Sequence, residues 1–86
     1  MLKCNYKNLN NMLNEMGVIT EKTAKGIAFT FYVNDEHTLE NKRCCYYVIK
    51  TGELVLQNVF GENKVVNYTH DLNTIKTIIN DVRRNG

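Results

Sequence analysis

At 86 residues, with 43% hydrophobic and 23% charged side chains, the chain has the composition of one small globular domain and not of a disordered segment. Its formal net charge of +2 comes from interspersed signs, which lacks the dense basic face of a dedicated duplex-DNA binder. No apolar run approaches the roughly 18 residues of a membrane span, and the first residues show no signal-peptide h-region, so the expectation is a protein with no membrane contact that stays in the cytoplasm.

Leu9, Met12, Leu13 and Met16 recur at i, i+3, i+4 and i+7, which predicts a helix from about Asn5 to Met16. Asn5 suits the N-cap, because its side-chain oxygen can accept from an otherwise orphan backbone N–H. Gly17 suits the left-handed residue just past the helix, with Val18 as the apolar contact beyond it. Thr20 to Lys25 reads as a polar connector.

Ile27, Phe29, Phe31 and Val33 alternate with Ala28, Thr30 and Tyr32, the period-two pattern of a half-buried strand. Asn34 to Lys42 reads as a solvated loop. Arg43–Lys50 and Glu53–Phe60 read as a β-hairpin about Thr51-Gly52, with Lys50 opposite Glu53. That register sorts Cys45, Tyr47, Ile49, Leu54, Leu56 and Phe60 to one face. Cys44, Tyr46, Val48, Val55, Gln57 and Val59 fall on the other.

Gly61-Glu62-Asn63 signals a second turn, and Lys64 to Tyr68 a short edge strand. A helix follows from Asp71, carrying Leu72, Ile75, Ile78, Ile79 and Val82, with His70 placed to help cap its start. An acid at its beginning and Arg83-Arg84 at its end both suit the helix dipole. One α+β domain spanning residues 1–86 follows: two layers in the order α-β-β-β-β-α, an antiparallel three- to four-stranded sheet with both helices on one face.

Reactive groups are sparse. His37, Asp35, Glu36 and Glu40 share a loop, but their spacing matches no metal motif, and a mobile loop positions ligands poorly. Cys4, Cys44 and Cys45 form no even disulfide framework and no C-x-x-C pair, so all three read as reduced thiols. Serine is absent, and no nucleophile stands in a histidine–carboxylate pattern. The glycines are scattered at turns rather than gathered in a phosphate loop. The reading is therefore of a non-enzymatic chain with no cofactor and no metal.

What remains is the second face of the sheet. With helices covering one side, Tyr32, Tyr46, Val48, Val55 and Gln57 occupy the other, and that face is more apolar than water alone requires. Tyrosine with flanking aliphatics is what the centre of a protein interface favours, so these five are the candidate partner-binding residues. The expected partner is another protein, or a second copy in a homodimer. The alternative is single-stranded nucleic acid stacked on Tyr32 and Tyr46, with Lys25, Lys42, Arg43, Lys50 and Lys64 along the edges.

The stretch Tyr46 to Ile79, a hairpin followed by an amphipathic helix, resembles in layout the small phage and mobile-element accessory proteins of the anti-CRISPR inhibitor kind. Size, an Asn-, Lys- and Ile-rich composition and the missing catalytic motif add to the likeness. The resemblance implies a phage protein that inhibits a host protein complex by occupying a surface. The slightly basic charge departs from the acidic DNA mimicry known among such inhibitors, and no functional residue is carried over from them.

Overall fold

The computed structural model describes residues 2–85. Two helices, α1 (Tyr6–Glu15) and α2 (Leu72–Asn85), flank five strands: β1 (Ile19–Lys22), β2 (Gly26–Tyr32), β3 (Lys42–Val48), β4 (Glu53–Gln57) and β5 (Asn63–Tyr68). The strands pair antiparallel in chain order, so the sheet is a meander with β1 and β5 at its edges. The two-layer α+β arrangement is as expected, with one strand more.

Local chemistry fixes α1 at both ends. Asn5 Oδ1 accepts from Asn8 N (2.9 Å), and Asn5 N donates to Asn8 Oδ1 (2.8 Å), a reciprocal cap that satisfies two orphan donors. Beyond Met16 the chain turns at Gly17, whose φ of 76° is left-handed. There Gly17 N donates to Asn14 O (3.0 Å) and Val18 N to Leu13 O (2.9 Å), the paired bonds of a Schellman motif. Leu13 and Val18 are both buried in the core, which supplies the apolar contact that goes with that motif.

The additional strand, β1, occupies part of the expected polar connector. Its inward-facing residue Thr20 lies opposite Phe29 and spends its hydroxyl on Asn10 Oδ1 (2.8 Å) and Asn14 Oδ1 (3.2 Å) of α1. A polar residue satisfied in this way leaves no apolar alternation to read.

The central hairpin turns later than a two-residue loop would. Val48 faces Glu53, so Ile49 to Gly52 form the connection and Lys50 has no strand partner. Ile49 extends the β2–β3 register by one step, its N–H donating to Lys25 O (3.0 Å), while its carbonyl turns to lie 3.1 Å from His70 Nε2 and not toward β4. His70 thus anchors this turn and does not cap α2. Gly52, with φ of 76°, closes the loop through Gly52 N to Val48 O (2.9 Å). The offset from the expected register is an even number of residues, so the sorting of side chains to faces survives. Val59 and Phe60 are exceptions, because β4 ends at Gln57 and both residues lie exposed in the turn beyond it.

One apolar core fills the space between helices and sheet: Leu9 and Leu13 of α1, Leu72, Ile75 and Ile79 of α2, and the inward-facing residues of β2, β3 and β4. Tyr47 reaches through it and donates its hydroxyl to Thr69 O (2.6 Å). Arg83 of α2 donates to Met16 O (2.8 Å), placing a cation on the carbonyl end of α1. No helix among the described residues is long and apolar enough to cross a membrane.

Asp71, just ahead of α2, accepts from Thr74 Oγ1 (2.7 Å), and that bond holds its carboxyl below the ordinary carboxylate value. A lowered folded value means that the ionised form contributes stability above the unfolded value of 3.8, which is lost as pH falls through the folded one. Asp71→Asn is therefore expected to melt below wild type at neutral pH and to match it near about pH 2. Thermal unfolding at the two pH values checks this, and an equal difference at both would contradict it.

Candidate functional site

The face of the sheet opposite the helices is built from alternate residues of all five strands. Pairing places Ala28, Tyr46, Val55 and Val65 side by side across β2 to β5, with Glu21 of β1 beyond Ala28. A second row holds Gly26, Val48, Glu53 and Tyr68, and a third holds Ile19, Thr30 and Cys44.

The five expected contact residues are all on this face, but they do different work. Tyr46 is 38% exposed at its centre. Val48 is half-buried between Gly26 and Glu53. Val55 is only 1% exposed, although it lies outside the core cluster that the helices cover. Tyr46 and Val65, its partners on either side, close over it, so Val55 is the floor of this face and not a contact residue.

Gln57 is committed internally: its Oε1 accepts from Cys44 N (2.9 Å) and its Nε2 donates to Gly61 O (3.2 Å). Tyr32 stacks on His37, centroids 4.4 Å apart and planes within 6°, so one ring surface is already occupied. Arg43, expected along an edge, is buried at 4% exposure, because its partner across the ladder is the inward-facing Phe31.

Three exposed apolar residues join the face that the sequence reading left out: Ile19 (64% exposed), Val65 (46%) and Tyr68 (65%). Ile19 falls between the expected helix end at Gly17-Val18 and the expected connector from Thr20, so no expected strand contained it. Val65 and Tyr68 sat on the expected edge strand, and the alternation N-K-V-V-N-Y gives no face, because a bulge in the β4–β5 pairing interrupts it. The site is thus an apolar cluster of Tyr46, Val65 and Tyr68 about a Val55 floor, with Ile19 exposed apart from them on the β1 edge and Glu21 and Glu53 among the polar members of the face.

The thiols sort by depth. Burial pushes Cys45 up to about 11 and raises Cys4 as well, whereas Cys44 is exposed on the open face. Native protein at about pH 8 is expected to release one equivalent of thionitrobenzoate rapidly, and three only after unfolding. Fast reaction of two or three thiols in the folded state would contradict this depth order. Among the described residues no group of three or more His, Cys, Asp or Glu side chains is arranged to hold a metal ion.

This geometry defines a small α+β domain with one helix-covered and one open sheet face. No protein-family model matches the chain, nor does any curated protein or solved structure.

Proposed function

We propose that the chain is a non-enzymatic protein-binding module that docks on a larger partner through the open face of its sheet. The observation that carries this reading is the exposure of Tyr46, Val65 and Tyr68 on neighbouring strands, and of Ile19 on the far edge, all on the side of the sheet away from both helices. Isolated exposed aliphatics are ordinary, but a tyrosine-bearing apolar cluster on an open sheet face is the composition of an interface centre. Its side chains offer contact area rather than a nucleophile paired with a base.

The specific form we propose is a phage-type inhibitor that occupies a surface of a host protein complex. Stacking of single-stranded nucleic acid gains less support from this geometry, because His37 covers one ring surface of Tyr32 and Arg43 is turned inward. The test is capture of a partner by wild type compared with a folded Val65→Asp, Tyr68→Ala variant. Equal capture by both would remove this face from consideration.

A further inference from the structure

On the other side of β5 lies a feature that the open-face reading does not use. Between the C-terminal turns of α2 and the far end of the sheet is a recess of about 230 Å³, walled by Leu56, Val59, Val66 and Val82. Among the described residues its charged lining side chains are Arg43 and Lys64, with no Asp or Glu. The acid tied to its rim, Glu62, is held by Asn58 Nδ2 (3.1 Å).

Arg43 is 4% exposed, and its Nη1 donates to Glu40 O (2.6 Å) and Lys42 O (3.1 Å). These carbonyls satisfy one nitrogen and neutralise none of the charge. Among the described residues no buried side-chain nitrogen or oxygen lacks a hydrogen-bond partner, so the remaining guanidinium donors keep access to open space. The recess is the open space that Arg43 borders. A largely buried guanidinium beside a second cation and four aliphatic walls is complementary to a carboxylate carried next to an apolar group.

The shape of the partner follows from β5. It is an edge strand, with no strand on its outer side among the described residues, and its residues Lys64 and Val66 line the recess. An extended segment that pairs with this edge places its alternate side chains over the same recess. We propose that the recess receives such a segment, added to β5 as a further strand, with a carboxylate side chain against Lys64, in the positive field to which Arg43 at the inner end of the recess adds, and an aliphatic side chain two residues along against Val66 and Val82.

The probe is a fluorescein-labelled peptide of about eight residues, alternating threonine and valine, with one valine replaced by glutamate and, in matched peptides, by glutamine or lysine. The glutamate peptide is expected to bind at least about tenfold tighter than the glutamine one by fluorescence anisotropy. It is also expected to slow amide exchange along β5. Lys64→Glu, a change at an exposed position that leaves the core intact, is expected to abolish the preference for the glutamate peptide.

Tyr46→Ala is expected to leave all of this unchanged, so this proposal and the open-face reading stand or fall separately. Equal binding of the glutamate and glutamine peptides, no binding at millimolar peptide, or protection confined to other strands would overturn it. Octanoate binding as tightly as the peptide without protecting β5 would assign the recess to a free alkyl carboxylate and overturn it as well.

Discussion

Gly26→Ala is expected to cost about 3 kcal/mol of folding stability, the upper end of what overpacking does, and to lower the melting temperature by roughly 10–20 °C in a domain of this size. Gly26 opens β2, is buried, and faces Val48 across the ladder. A methyl group there would run into the backbone carbonyl oxygen of Tyr47 and lie 3.2 Å from Ile49 N. Those atoms belong to backbone that is pinned on several sides. Ile49 N is bonded to Lys25 O (3.0 Å), and Tyr47 is held by its hydroxyl bond to Thr69 O (2.6 Å). Relief therefore requires β2 and β3 to part.

Gly17→Ala is the matched comparison. Its φ of 76° is unfavourable for alanine, but nothing lies within 4 Å of the added carbon. The expected cost is the left-handed backbone alone, about 1 kcal/mol. Urea and thermal unfolding followed by circular dichroism rank the two variants. A Gly26→Ala loss no larger than that of Gly17→Ala would contradict the close approach of β2 and β3.

The second large effect separates two valines that face each other on the open side. Val55→Asp is expected to cost about 3 kcal/mol or more at neutral pH, because the carboxylate would lie where Val55 is 1% exposed, with no basic partner in its row. Burial raises the folded-state pKa of such a group above its unfolded value, so the loss is greatest at neutral pH and shrinks as acid protonates it. Val65→Asp, at a position 46% exposed, is expected to cost less than about 1 kcal/mol and to stay folded. Melting curves at neutral and acid pH check both. Equal stability of the two variants would mean that Val55 is not covered by its neighbours.

This pair also shows what a sequence can and cannot disclose. Period-two alternation assigns Val55 correctly to the face away from the helices, but its burial depends on Val65 arriving beside it from another strand. Alternation also carries the position of Arg43: two residues before Cys45 and four before Tyr47, it shares their inward face, a signal that an edge-cation reading passed over. α1 was legible because both its ends are coded locally, by Asn5 with Asn8 and by Gly17 with Val18, and α2 because of its apolar periodicity.

β1 was not legible, since its inward position is a threonine whose value comes from two asparagines on α1. Gly52 marked where a positive φ falls without setting the loop length. That length depends on where the Ile49 N–H and carbonyl find partners, at Lys25 and His70. Gln57 reads as an available surface amide and is in fact a brace between β3 and the β4–β5 turn. Side-chain and backbone contacts made beyond each strand's own alternation account for these differences.

The central claim is that the open sheet face docks on the larger partner, with the outer surface of α2 taking no part. Its most direct measurement is quantitative mass spectrometry of proteins captured from native lysate by wild type, by the Val65→Asp, Tyr68→Ala variant, and by Lys76→Ala on the exposed surface of α2. The account predicts a protein enriched by wild type and by Lys76→Ala and reduced at least about tenfold with the sheet-face variant. Unchanged enrichment on a sheet-face variant shown to be folded, or loss with Lys76→Ala alone, would contradict it.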